Sequence, residues 1–187
     1  MTGCPVPAAL AHLPLCPKRK LPIPVTTHRN PDGTAQFTVT VPAEVDRCAR
    51  YGLCGVCGEP LGYWIAVLGG EQSADPDRGA YTDAPMHEEC AEASLLLCPY
   101  IARQRVPRRD VPPEIPIADP RGWVADKNVN GEWVMVITRS FKIKHETARN
   151  GSDVVLFRPD PAKRRERRFA YDDRGRLVET TTIREAS

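Results

Sequence analysis

Aromatic residues are scarce in this chain: Phe, Trp and Tyr together make up 6% of its 187 residues. A core drawn from such a composition rests mainly on Val, Leu, Ile and Ala. Long apolar runs are also missing, and none approaches the roughly 20 residues that a membrane-spanning helix needs. Net charge is close to absent at +2, so whole-chain electrostatics does not demand a nucleic-acid partner. Nor does the start of the chain read as a signal peptide. The apolar stretch 5–15 is broken by Pro5, Pro7 and Pro14, and the cluster Lys18-Arg19-Lys20 follows it instead of preceding it. There is no internal repeat, no phosphate-cradling Gly loop, no Ser-His-Asp set and no open metal triad. These absences leave few enzyme classes standing.

What is present suits a soluble globular protein with a real core, at 41% hydrophobic and 27% charged residues. The 19 prolines argue against long helices and for extended segments joined by turns. Seven cysteines, an odd number in a chain of this length, make a poor disulfide framework. Reduced thiols in the cytoplasm are the simplest reading. Arg far outnumbers Lys, a usage typical of GC-rich coding sequences.

Residues 1–20 carry Pro, Cys and basic residues without periodicity and read as a disordered leader. Over 34–41 the chain alternates strictly, with Ala35, Phe37, Val39 and Val41 on one face, as a half-buried strand does. The turn Asn30-Pro31-Asp32-Gly33 ahead of it makes 22–27 the expected hairpin partner, with Pro22 and Pro24 confining that partner to an edge. Pro42 opens a short helix that Gly52 stops, with Val45, Cys48 and Ala49 inward. Residues 62–68 read as a buried strand, 69–80 as a polar loop, and Asp83-Ala84-Pro85 announces a second helix ending before Cys98-Pro99. The stretch 103–120, rich in Pro and Arg, is an extended connector. Beyond it the chain reads as all-β: strands at 133–137, 141–144, 154–157, 168–171 and 177–183. The expected organisation is therefore the leader, a hairpin plus central core over 21–102, the connector, and a β-rich segment over 121–187 packing on that core.

The strongest motif is Cys54-Gly55-Val56-Cys57-Gly58, followed by His87-Glu88-Glu89-Cys90. Two thiolates two residues apart can reach one ion from a tight knuckle, and Gly58 can take a positive φ without steric cost. His87 and Cys90, at i and i+3 on a helix start, point at the same spot. Three thiolates and an imidazole form a closed tetrahedral set, as expected of one structural Zn2+ held by Cys54, Cys57, His87 and Cys90. Knuckle, strand, loop and a helix bearing the second ligand pair is the order of a treble clef. The expected fold class is thus α+β, a treble-clef zinc core flanked by antiparallel strands. A redox Cys-x-x-Cys pair is the competing reading, but it leaves His87 and Cys90 unexplained. Cys98 lies on roughly the same helical face as Cys90 and reads as a small buried hydrophobe or a further thiol near the metal. Cys48 reads as core, and Cys4 and Cys16 as leader residues without a role.

The segment Leu53-Cys54-Gly55-Val56-Cys57-Gly58-Glu59-Pro60-Leu61-Gly62, joined with His87-x-x-Cys90 and Cys98-Pro99-Tyr100, resembles an uncharacterised family of treble-clef-like zinc-binding proteins of actinobacteria, other bacteria and their phages. Its members tend to have a strand pair before the knuckle and a basic, proline-containing stretch after the helix. They also tend to carry C-terminal segments like Ile137-Thr138-Arg139-Ser140-Phe141 and Val155-Leu156-Phe157-Arg158. The resemblance spans most of 21–160; the loop 71–83 and the tail beyond Pro161 fit it less well. The family has no established activity, so the resemblance implies the zinc ligands and no more. Separately, Tyr171-Asp172-Asp173-Arg174-Gly175-Arg176-Leu177 is similar to one unit of the tyrosine-aspartate repeats of toxin shells, but one copy builds no shell, and a hairpin turn centred on Gly175 explains it.

Two basic stretches remain: Arg103, Arg105, Arg108 and Arg109, and then Lys163, Arg164, Arg165, Arg167 and Arg168. Brought together by folding, these arginines form a phosphate-binding surface; otherwise they are solvated or paired with acidic residues. On the first reading, replacing Arg164, Arg165, Arg167 and Arg168 by Ala leaves folding intact and weakens nucleic-acid binding. A nuclease of the HNH type is disfavoured, because 59–80 contains no His where such enzymes place their general base. The expected function is a non-enzymatic, zinc-stabilised binding or adaptor protein contacting nucleic acid through these arginines. A regulator that docks a protein partner is the alternative.

Overall fold

The computed structural model describes residues 6–104, 131–147, 151, 153–162 and 164–185, with side chains described as far as Thr180. Its elements are β1 (Thr27–Arg29), β2 (Ala35–Thr40), α1 (Pro42–Tyr51), β3 (Ile65–Gly70), α2 (Glu88–Leu97), β4 (Trp133–Thr138), β5 (Phe141–Thr147), β6 (Asp153–Pro159), β7 (Arg165–Tyr171) and β8 (Leu177–Glu185). Short 3-10 turns lie at Ala8–Leu10 and Glu71–Ala74. The fold is mixed α+β with antiparallel sheets: a β1–β2 pair, a sheet in the order β3–β4–β7–β8, and a β5–β6 ribbon. Among the described residues no helix is long and apolar enough to cross a membrane.

The central sheet explains the one continuous apolar run in the C-terminal half. All six residues of β4 are buried, because the sheet is covered on both faces. Alternation sorts them. Trp133, Met135 and Ile137 join Ala66, Leu68 and Phe169 on the face that packs against α2 and the metal ligands. Val134 and Val136 join Val67 on the other face, against Val45, Cys48 and Ala49 of α1 and Phe157 of β6. β3 comes from the region of the knuckle, whereas β4, β7 and β8 come from beyond the connector. The C-terminal segment therefore continues the sheet of the central core.

Several local expectations hold. α1 begins on Pro42 and ends where Gly52 takes φ 61°, with Val45, Cys48 and Ala49 buried. α2 has Glu88 and Glu89 in its first turn, where the helix dipole favours negative charge. Around Gly175 (φ 67°) a tight turn joins β7 to β8, and the Asp172 carboxylate accepts the backbone N–H groups of Arg174 and Arg176. The Tyr-Asp segment is a hairpin turn.

Three expectations are corrected. The partner of β2 is β1, with Arg29 opposite Ala35, so of the expected 22–27 only Thr27 pairs with it, opposite Thr40. The Asn30-to-Thr34 turn closes tightly, Asn30 N–H donating to Thr34 O at 2.8 Å, which places the return strand directly after the turn. β3 starts at Ile65, because the chain bends through Tyr63 and Trp64, leaving Gly62 and Tyr63 exposed while Trp64 packs against the edge of the core. The leader is the largest correction. From residue 6 onward it is built into the molecule: Leu10, Leu13 and Cys16 are buried, and Leu10 and Leu13 pack with Cys54, Val56 and Cys57. Cys16, far from idle, is 1% exposed, within a loop where its N–H donates to Leu21 O and Ile23 N–H donates to Pro14 O. Cys4 and most of the connector lie outside the described residues.

Candidate metal centre

The knuckle is shaped by backbone geometry. Cys54 N–H donates to Glu59 O at 2.8 Å and Gly58 N–H to Cys54 O at 2.9 Å, with Gly58 at φ 81°. Gly55 has a separate task. A Cβ placed there would lie 2.8 Å from the Ala84 Cβ, and Gly55 N–H donates to Pro85 O at 2.9 Å. This close approach docks the knuckle onto the segment leading into α2. A further antiparallel bridge between Ala66 and Met86 ties that segment to β3. His87 then arrives as the N-cap residue of α2, with Cys90 one turn inside the helix.

The four candidate donors converge. One ligand atom from each of Cys54, Cys57, His87 and Cys90 lies within 4.8 Å of every other, and the three cysteines are buried. The His87 Nδ1 is 3.3 Å from the Cys57 Sγ and 3.9 Å from the Cys90 Sγ. A tetrahedral ion bonded at about 2.3 Å to sulfur and about 2.0 Å to nitrogen holds neighbouring donors roughly 3.5 Å apart. These spacings fit it. The imidazole is also set in the correct tautomer. Its Nε2 lies 2.9 Å from Pro60 O, and since a carbonyl only accepts, Nε2 carries the proton and Nδ1 turns its lone pair toward the sulfurs.

The thiols show the same convergence electrostatically. A hydrogen bond from the Cys90 thiol, supplemented by backbone amides, holds Cys54 down to about 5 against the opposing effect of burial. Cys90 is pushed up by making that bond, and Cys57 is pushed up chiefly by burial. Three sulfurs this close cannot all ionise without a cation. A divalent ion held among them would supply that charge. Cys48, pushed up to about 11 by burial, remains a thiol of the core. Cys98, at the C-cap of α2, is not among the four clustered donors.

The supporting shell was not legible in the motif. His12 Nε2 donates to Cys57 O at 3.1 Å, and Val25 N–H donates to Val56 O at 3.0 Å, so the N-terminal segment braces the knuckle from outside. Leu10 and Leu13 are the apolar residues of the N-terminal segment that carry that packing. Nothing in the sequence singles out the Pro60 carbonyl.

The predicted arginine surface fares differently. Arg165 and Arg167 point toward α2, reaching Glu88 at 3.4 Å and Glu92 at 2.5 Å, and Arg167 also binds Glu179 at 2.8 Å. Arg168 turns the other way, to Glu132 at 3.1 Å, Glu166 at 3.3 Å and Glu71 at 3.5 Å. Arg164 is only 6% exposed and donates to Ala74 O at 2.6 Å and to Glu166. Arg165, Arg167 and Arg168 belong to one strand, so their side chains divide between its two faces and meet carboxylates on each. Among the described residues, Arg164, Arg165, Arg167 and Arg168 are thus all engaged within the chain. Arg103 is exposed in a bridge to Arg176. Arg105, Arg108, Arg109 and Lys163 lie outside the described residues.

The chain matches no family model, no curated protein and no solved structure.

Proposed function

We propose that this chain is a non-enzymatic binding protein stabilised by one structural zinc ion in a treble-clef core, with nucleic acid as its ligand. The observation that carries the reading is the closed set of three sulfurs and one imidazole nitrogen within 4.8 Å. Four protein donors complete a tetrahedron and leave no coordination position for a reacting water. The treble clef is supported by chain order: knuckle, β3, the Ala66–Met86 bridge standing for the second hairpin strand, and α2 bearing His87 and Cys90. A regulator that docks a protein is the second reading. It is favoured by the β7 arginines, whose charge is already met by carboxylates.

The test is a salt-titrated binding assay on metal-quantified protein with duplex DNA, single-stranded DNA and RNA, magnesium being present to expose cleavage. One zinc per chain and affinity that falls steeply with salt supports the nucleic-acid reading, because phosphate contacts release counterions. A salt-insensitive stoichiometric complex with a protein, and no nucleic-acid binding, supports the second. Cleavage of the nucleic acid overturns the non-enzymatic assignment.

A further inference from the structure

Between the knuckle and β3 the chain presents two adjacent aromatic rings. Tyr63 and Trp64 meet edge to face, with centroids 5.4 Å apart and planes at 80°. Tyr63 is 64% exposed. Ile65 pairs with Thr138, so continuing that register sets Trp64 across from Arg139, in the turn between β4 and β5. The Arg139 guanidinium carbon lies 4.6 Å from the Tyr63 centroid and 5.0 Å from that of Trp64. Arg165 approaches Trp64 at 4.6 Å. Trp64 is thus braced by two guanidinium groups, while most of Tyr63 remains open.

Arg139 contrasts with the arginines of β7. Among the described residues no carboxylate lies within ion-pairing distance of it, and its contacts are the two rings. Lys142 and Arg158, opposite each other where β5 and β6 meet the same turn, also have no carboxylate at that distance among the described residues. The nearby Asp160 carboxylate is engaged by Ser140 Oγ at 3.1 Å and Ala162 N–H at 3.0 Å. An open ring next to cations that have no acidic partner among the described residues suits a ligand that is planar and apolar on one side and anionic on the other. An unpaired nucleotide has that character, and stacking on Tyr is indifferent to base identity. Bases inside a duplex offer no free face.

We infer that Tyr63, Trp64 and Arg139 form a stacking platform for single-stranded nucleic acid, with an unpaired base on Tyr63 and the backbone phosphates drawn to Arg139, Lys142 and Arg158. This rests on the nucleic-acid reading above and moves the contact from β7 to the turn between β4 and β5.

The experiment is fluorescence anisotropy with a labelled oligothymidylate, an oligouridylate and a duplex of equal length. It uses the zinc-loaded full chain and its Tyr63→Ala, Tyr63→Trp and Arg139→Gln variants, over a salt series. Single strands are expected to bind more tightly than the duplex. Tyr63→Ala weakens single-strand binding about tenfold, whereas Tyr63→Trp keeps it. Arg139→Gln weakens it and lowers the salt slope by about one. The substituted side chains lie at the surface, so zinc content and melting temperature are expected to stay at wild-type values. Wild-type binding left unchanged by both Tyr63→Ala and Arg139→Gln overturns the platform while the nucleic-acid reading stands. A duplex preference overturns it too. No binding of any nucleic acid by the wild type overturns the reading itself, and a protein partner takes its place.

Discussion

The metal centre and the arginine strand are both short, charge-bearing motifs, and they fold to opposite ends. At the metal centre, residues from two distant segments turn inward to one point, because the knuckle and the helix start curve their side chains onto a shared focus. In β7, neighbours in sequence are driven apart, because successive residues of a strand face opposite ways. Cys54, Cys57, His87 and Cys90 are arranged to draw their counter-charge from an ion that is not part of the chain. Arg164, Arg165, Arg167 and Arg168 find their anions within the chain, on α2, β8, the Glu71–Ala74 turn, Glu132 and Glu166 of β7 itself. Clustering in sequence becomes clustering in space only where the backbone bends.

The sharpest break in this comparison comes from the metal ligands. Cys57→Ala or His87→Ala is expected to unfold the central core, since structural zinc contributes an apparent ~10–16 kcal/mol, as much as the whole stability of a typical domain. Circular dichroism with metal analysis checks this. A variant that stays folded without metal contradicts it.

Next in size is Arg164→Ala. It leaves the Ala74 carbonyl without its donor and removes one of the two guanidinium groups that meet Glu166, and a buried polar group left without its partner costs about 1–3 kcal/mol. Urea denaturation measures it; a cost near zero shows that the strand's charges are ornamental. The expected loss runs against the sequence-based expectation that Arg164, Arg165, Arg167 and Arg168 can all be replaced with folding intact.

Comparable in size is Gly55→Ala, whose Cβ meets Ala84 at 2.8 Å and forces the knuckle away from the α2 approach. Overpacking of this kind costs about 1–3 kcal/mol, and zinc affinity should fall with stability in the same titration. If affinity is unchanged, the docking of the knuckle does not position the ligands.

The smallest effect concerns Glu179, whose carboxyl the Arg167 hydrogen bond holds below its ordinary range. A carboxyl lowered by folding contributes stability above its unfolded value of about 4.3, and that contribution is lost as pH falls through the folded value. Wild type should therefore exceed Glu179→Gln in stability at neutral pH and converge with it in acid, as pH-dependent melting will show. A gap that persists in acid assigns the effect to packing.

Much of this was readable in advance because it depends on local spacing. The Cys54-x-x-Cys57 knuckle, the His87-x-x-Cys90 helix start, α1 between Pro42 and Gly52, and the apolar run of β4 each follow from turn chemistry or periodicity. What was missed depends on long-range partners. Leu10 and Leu13 belong to the core through the knuckle they pack against. The β7 arginines are neutralised by Glu88 and Glu92, more than seventy positions earlier in the chain. The Pro60 carbonyl sets the tautomer of His87 without any mark in the sequence. Tyr63 and Trp64 read as strand because they are aromatic, yet they lie outside β3.

The central claim is one zinc ion held by Cys54, Cys57, His87 and Cys90 and required for the fold. Titrating a chelator into the purified full chain, with bound zinc and near-ultraviolet circular dichroism followed in the same sample, tests it most directly. The account predicts one zinc per chain at the start and loss of tertiary structure in step with loss of the metal. A chain that carries no zinc, or that keeps its native signal after the zinc has gone, contradicts it.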